Sequence, residues 1–244
     1  MKLRFYATLE QVEKDALQGA VVVVIDVLRA SSTILAALEG GAERVIPIGD
    51  VATAARLVRP WERGAKILAG ERRACPVPGF DLCNSPSEFT PEAIRGKTIV
   101  FTTTNGTRAI TAAAKASRVV IAALRNVGAA ANAVAEETDL VILCCGSEGG
   151  LAAEDLLCGG LLINRLGARV ETASLGDAAR LGVLLVERFG GEVESFVRSC
   201  EHARRLVSLG YERDVEYCSR VDASALVPEV REGAIAVESR TADG

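Results

Sequence analysis

The 244-residue chain has a single histidine, one tryptophan, one methionine and only 4% aromatic residues, and each shortage excludes something. One His and no paired Cys-x-x-Cys spacing among seven cysteines leave no conventional zinc site. The odd cysteine count, with Cys144, Cys145 and Cys158 inside apolar segments, fits reduced, core-packed thiols. No apolar run approaches the roughly 20 residues of a membrane-spanning helix, and Met1-Lys-Leu-Arg-Phe-Tyr6 reads as a first strand, not a secretion signal. A cytoplasmic protein without membrane partners is expected. The net charge is −4 and the basic residues are scattered, so the electrostatic footprint of a nucleic-acid binder is missing. No GxGxxG follows a strand and no GxxxxGK[ST] loop occurs. A small molecule is the expected partner.

What is present is a chain 49% hydrophobic and 25% charged, able to bury a core of ordinary size. Apolar runs predict strands near 3–7, 20–26, 43–48, 65–69, 98–102, 118–122, 139–145 and 234–238. Helices are predicted at 30–40, 50–60, 107–116, 126–137, 152–166 and 176–189, with a more polar one near 198–209. This alternation predicts an α/β fold, layered α/β/α around a largely parallel sheet. Asp50 and Asn126 are candidate helix caps, Ser85-Pro-Ser-Glu88 reads as a capping box, and Gly167 and Gly190 as helix stops. The Leu-rich run 181–185 reads as core, and the tail after Ser239 should fray.

Two stretches of this pattern line up. Ile34 maps onto Ile110 and Gly70 onto Gly146, a shift of 110 − 34 = 146 − 70 = 76 residues. Each copy runs strand, polar loop, helix, strand, helix and a strand ending in Gly. The chain is read either as one unit over 1–244 or, if the repeat is a duplication, as two closely packed α/β halves, about 1–96 and 97–244. In the second case the site lies where the two copies' loops meet.

The chemistry-bearing residues sit at strand ends. Val21-Val-Val-Val-Ile25 runs into Asp26-Val-Leu-Arg29-Ala-Ser31-Ser32-Thr33, and Ile99-Val-Phe101 into Thr102-Thr103-Thr104-Asn105-Gly106-Thr107. Such polar loops between a buried strand and a helix place backbone N–H groups around an anion. Further acids are Glu71 and Asp81, in the Pro- and Gly-rich segment 70–91, and Glu154-Asp155 after Gly146-Ser-Glu-Gly-Gly150. Hard oxygen ligands without histidine suit Mg²⁺. Each has a plainer reading: Asp26 as a helix cap, Glu154 and Asp155 as first-turn acids, Glu71 and Asp81 as surface partners of Arg72 or Arg73. Arg29 and Arg72 are natural forks for phosphate, carboxylate or sulfonate. His202 reads as a solvated helix-face residue, as do Glu192, Glu194, Arg204 and Arg205, and Cys83 as a spectator in an open loop.

Taken in order, the Asp26-Val-Leu-Arg-Ala-Ser-Ser-Thr-Ile34 loop, Gly70-Glu-Arg72, Gly79-Phe-Asp-Leu-Cys-Asn-Ser-Pro86, Thr102-Thr-Thr-Asn-Gly-Thr107 and Glu154-Asp155 resemble the 2-phosphosulfolactate phosphatase family. Weaker pieces follow in Asp214-Val-Glu-Tyr-Cys218 and Val227-Pro228. The resemblance spans most of the chain. It implies an Mg²⁺-dependent phosphatase that releases phosphate from 2-phospho-3-sulfolactate, a step towards coenzyme M, or from the phosphate ester of another 2-hydroxy acid. Departures are Cys83 where Gly is expected, Cys145 for Ala and Ala152-Ala153 for Ser-Leu, which bear on substrate preference.

On that resemblance, Asp26 with some of Glu71, Asp81, Glu154 and Asp155 would hold one or two Mg²⁺ ions. Arg29, Ser31, Thr102, Thr103, Thr104, Asn105, Gly106 and Thr107 would surround the phosphoryl group, while Arg72 with Asn84 or Ser85 would take the acid end. Water attack and a covalent route through Asp26 are both open, although Leu28 breaks the Asp-x-Asp pattern of the common aspartyl-phosphate enzymes. Rival functions are a non-hydrolytic receptor for anionic metabolites and another Mg²⁺ enzyme acting on phosphorylated acids. Self-association into a homo-oligomer is left open.

Overall fold

Strands without polar interruption form the centre of the computed structural model, which describes residues 1–58, 64–171 and 174–237. In chain order the elements are β1 (Lys2–Tyr6), β2 (Val21–Ile25), α1 (Ala30–Glu39), β3 (Arg44–Pro47), α2 (Val51–Leu57), β4 (Lys66–Arg72), β5 (Cys75–Pro76), α3 (Pro91–Ile94), β6 (Thr98–Thr102) and α4 (Gly106–Ala112). There follow β7 (Arg118–Ala122), α5 (Val127–Ala133), β8 (Asp139–Cys144), α6 (Ala153–Leu166), α7 (Asp177–Phe189), α8 (Val193–Ser199), α9 (Glu201–Ser208), α10 (Glu212–Ser219), β9 (Pro228–Arg231) and β10 (Ala234–Val237). The described strands form one sheet in the order β1-β8-β2-β7-β9-β10-β3-β6-β4-β5. The pairs β1–β8, β8–β2, β2–β7, β3–β6 and β6–β4 are parallel, and the β9–β10 hairpin joins the two parallel sets with antiparallel partners.

Because side chains alternate along a strand, β2 feeds two cores. Val21, Val23 and Ile25 pack with α5, α6, α8, α9 and α10, for instance against Leu124, Leu157 and Leu162. Val22 and Val24 pack on the opposite face with α1 and α4, against Ile34, Ile110 and Ile121. Helices on both faces explain why these strands are apolar throughout and not alternating. The layered α/β reading is what the structure shows.

The strand order also bears on the repeat. Exchanging β2 with β6, β3 with β7 and β4 with β8 turns β8-β2-β7 into β4-β6-β3, which is the other parallel set read backwards. The copies are interleaved: β2 pairs with β7 and β8, while β6 pairs with β3 and β4. A cut between residues 96 and 97 would separate hydrogen-bonded neighbours.

Some local expectations change. The polar helix near 198–209 is two helices, α8 and α9, broken at Cys200, whose backbone is extended (φ −65°, ψ 149°). Asp50 caps α2 by accepting the Thr53 N–H at 2.8 Å. Asn126 does not cap α5; it accepts the Ala123 N–H and donates to the Ile121 and Leu226 carbonyls, holding two loops together. Residues 86–88 form a short 3-10 turn without the capping box, since Glu88 accepts the Cys83 N–H at 2.6 Å and Ser85 turns to Asp214. Leu181 and Leu184 are exposed on α7 instead of lying in the core, and Cys83 is buried. Among the described residues no helix is long and apolar enough to cross a membrane. The end of the helix expected over 50–60 and the tail after Ser239 lie outside the described residues.

Candidate active site

Asp26 follows directly on β2, and its loop is closed by its own side chains. Its Oδ1 accepts the Ala30 N–H at 3.0 Å, so the helix-cap reading holds, and the Asp26 N–H donates to Ser31 Oγ at 3.1 Å. Ser31 is thereby buried beneath the loop as a brace. Oδ2 has no donor among the described residues and faces Gly106. A Cβ on Gly106 would lie 2.7 Å from Asp26 Oδ2 and 2.5 Å from Ala30 Cβ, so glycine is what allows the two strand-end loops to meet.

Arg29, also buried, donates to Asp214 Oδ2 at 2.7 Å, and its guanidinium lies 4.2 Å from the Tyr211 ring centroid. Asp214 Oδ1 accepts from Ser85 Oγ at 2.7 Å. Burial alone would weaken the cation, and the Asp214 bond outweighs it, so Arg29 stays charged. Ser85 therefore serves the arginine and does not reach the cleft.

The loop after β4 is set by Gly70 (φ 149°), where a Cβ would fall 2.0 Å from the Thr102 carbonyl oxygen. Glu71, next in sequence, is buried and fully used. Its carboxylate accepts the Thr104 N–H (2.7 Å), the Thr104 hydroxyl (3.0 Å) and the Ala74 N–H (2.7 Å). Arg73 and Ala74 are both left-handed (φ 53° and 66°), which turns the chain sharply. As a result Arg72 and Arg73 part company. Arg72 folds back onto the Glu71 and Gly49 carbonyls and Thr102 Oγ1 (2.8 Å), while Arg73 lines the cleft. Asp81 is exposed and accepts the Leu68 N–H at 2.8 Å, outside the cleft. Asn84 lines it, buried, with Oδ1 unpaired.

Of the threonine loop, Thr104 and Asn105 face the cleft. Thr102 is buried against Arg72, and Thr103 and Thr107 bond each other, each N–H to the other's hydroxyl at 3.0 and 3.1 Å. Asn105 Nδ2 donates to the Gly146 carbonyl at 3.2 Å. Asp155, on α6, accepts the Val27 N–H (2.8 Å) and the Gly146 N–H (3.2 Å), so it is a strut that ties two loops to the helix. Glu154 lines an adjoining cavity; its buried Oε1 has no hydrogen-bond partner among the described residues and stands 3.7 Å from His202 Nδ1.

The resulting cleft also takes in Ser147 and Glu148, together with His202 and Arg205, which the sequence reading left on a solvated helix face. His202 is a wall residue, and burial, helped by Arg29, pushes its imidazole down to about 4, so it is neutral at pH 7. One clue to the pair was their spacing, since residues three apart share a helix face. Asp26 is pushed up to about 7, first by burial, against the Ala30 N–H, and then by the Glu71 and Glu154 charges. Burial, with Asp26 and Glu154, likewise raises Asp155 well above the usual carboxylate range, and burial raises Glu154.

Among the described residues no three His, Cys, Asp or Glu side chains converge closely enough to chelate a metal by themselves. A divalent ion that takes one carboxylate and completes its shell with water and phosphoryl oxygens needs no such cluster. The donor-free Asp26 Oδ2, with uncompensated acids around it, fits that case.

A family model described as 2-phosphosulpholactate phosphatase matches residues 6–233. Similar curated proteins include one from Caldanaerobacter subterraneus subsp. tengcongensis, 38% identical over 96% of this chain and 98% of its own length. Others come from Clostridium acetobutylicum, 36% identical over 96% and 100%, and Symbiobacterium thermophilum, 38% identical over 91% and 95%. All three bear the name "Probable 2-phosphosulfolactate phosphatase".

Proposed function

The chain belongs to the 2-phosphosulfolactate phosphatase family, and from that premise we propose that it is a phosphoric monoester hydrolase acting on the phosphate ester of a 2-hydroxy acid. The preferred substrate on this reading is 2-phospho-3-sulfolactate, hydrolysed to 3-sulfolactate and phosphate as in a route to coenzyme M. The observation that carries it is the meeting of the Asp26 loop and the 102–107 loop at Gly106, with a donor-free carboxylate oxygen and the Arg29 guanidinium facing one cleft.

Mg²⁺ held on Asp26 would supply charge to the phosphoryl oxygens and an activated water for in-line attack. The chain's own residues do the rest. Arg29 uses two of its five N–H groups on Asp214 and Ala74 and offers others to charge spreading over the equatorial oxygens. Its position is fixed before substrate arrives, because Asp214, Ser85 and Tyr211 hold it from behind. Glu71 fixes Thr104, and Asn105 has one amide hydrogen left after bonding Gly146. The Asn84 side-chain oxygen has no hydrogen-bond partner among the described residues and is an acceptor that a proton donor or a cation would satisfy. Glu71 and Glu154, which raise Asp26 when no cation is near, set the demand for one. Phosphate release from a panel of 2-phospho-hydroxy acids, with Mg²⁺ and with chelator, tests the reading. Release that chelator stops is expected, and none from any member would sink it.

A further inference from the structure

The cleft contains cations that the phosphoryl end does not use. Arg29 is matched by Asp214, and Arg72 faces away. Arg205, on α9, donates to the Glu148 carboxylate and to the Arg73 carbonyl oxygen at 3.2 Å. Arg73 lines the same cleft, and its guanidinium has no ion-pair or hydrogen-bond partner among the described residues. It stands close enough to help Arg205 hold the Glu148 carboxyl below its usual range.

Glu148 is presented by a tight turn. Ser147 and Gly150 exchange backbone hydrogen bonds at 2.9 Å, and Glu148 (φ 51°) and Gly149 (φ 82°) are both left-handed. A glutamate in that region is unusual and persists where surroundings hold it. Its contact with Arg205 is half-exposed, with side chains 57% and 39% accessible, so it is a weak pair that a better anion can replace.

We propose that Arg73 and Arg205 form the subsite for a carboxylate or sulfonate of the substrate, and that Glu148 occupies Arg205 in the free protein and leaves when that group arrives. This rests on the phosphatase reading only for the phosphoryl end of the ligand. An ester with phosphate alone leaves the Arg205–Glu148 pair in place and gains neither cation, whereas one with a second acid gains both. The selectivity for phosphorylated acids over simple phosphate esters therefore resides in a turn and a helix outside both strand-end loops.

Two probes without a scissile bond separate the ends of the site: 3-phosphonopropanoate, with phosphonate and carboxylate, and ethylphosphonate, which has the same P–C–C spacing and no second acid group. Calorimetric titration in Mg²⁺ buffer is expected to show the wild-type protein preferring the first by about tenfold or more, the worth of one charge-assisted contact. Arg205→Gln and Arg73→Gln should each cut that ratio by roughly tenfold, Arg205→Lys should lie between, and Glu148→Gln should raise it severalfold. Melting curves identify any variant that fails to fold, and the remaining variants then decide. An unchanged ratio in the arginine variants, a lower ratio in Glu148→Gln, or no preference in the wild type would overturn the proposal. Discrimination without phosphate release from any ester would sink the phosphatase reading and leave the subsite standing. Release without discrimination would do the reverse.

Discussion

Replacing Asp214 by Asn removes one charge from a nearly buried pair, since the Arg29 and Asp214 side chains are each 2% exposed and 2.7 Å apart. The amide oxygen can then accept from Arg29 or from Ser85, and the amide NH₂ must face the other donor. Leaving a buried cation without its partner costs about 3–5 kcal/mol. The Tyr211 ring and the Ala74 carbonyl stay in place, which puts Asp214→Asn near the lower end, at about 3 kcal/mol. For a chain of this size that corresponds to a melting temperature lower by roughly 6–12 °C and an unfolding constant higher by roughly a hundredfold. Urea denaturation followed by circular dichroism reads it directly. Arg4–Asp139 is the matched control, at 2.6 Å but with side chains 25% and 42% exposed, so Asp139→Asn should cost within about 1 kcal/mol. Equal losses in the two variants would refute the claim that burial, and not distance, gives the Arg29 pair its weight.

Glu71→Gln sets an NH₂ against donors from Thr104 and Ala74, at roughly 2 kcal/mol. It should raise KM for a 2-phospho acid by loosening the Thr104 and Arg73 side of the cleft; unaltered kinetics and stability would remove Glu71 from that role. Gly70→Ala forces a Cβ to 2.0 Å from the Thr102 carbonyl oxygen at φ 149° and should cost roughly 3 kcal/mol or more. Gly79→Ala, at φ 83° with open space, should cost only about 1 kcal/mol, and chemical denaturation of both would expose an error if they match. His202 is held at about 4 against 6.5, so as pH falls the unfolded chain takes up the proton first. Its contribution to stability is complete above 6.5 and is lost as pH drops towards 4, to about 3 kcal/mol. The wild type should therefore lose that much more than His202→Gln between neutral pH and pH 4, and parallel acid profiles would contradict this.

Strand periodicity located all eight anticipated strands, most plainly the central ones, whose residues are buried on both faces, as Val21 to Ile25 and Thr98 to Thr102 show. What it could not show was β9 and the two-residue β5, short strands that pair with their sequence neighbours β10 and β4 and are too little buried to leave an apolar run. The strand-end loops were legible for the same reason as the strands: an Asp or a run of Thr stops an apolar segment. The division of labour between neighbours was not. Arg72 and Arg73 differ by one position, and only the left-handed turn at Arg73 and Ala74 decides which one faces the cleft. Glu154 and Asp155 likewise separate, one to an unpaired oxygen and the other to two backbone N–H groups. His202 and Arg205 lie on a helix whose charged residues looked like a solvated face, and it is tertiary packing that brings them beside Asp26.

The most direct test of the central claim is phosphate release by wild type and Asp26→Asn, side by side, on the best 2-phospho-hydroxy acid of the panel in Mg²⁺ buffer. The variant keeps the size of the side chain and an oxygen to accept the Ala30 N–H, so it should melt as a folded protein and show a loss of turnover of about a thousandfold or more, on the scale of removing a group that acts on the reacting atoms. A folded Asp26→Asn protein with near-normal turnover would contradict the account.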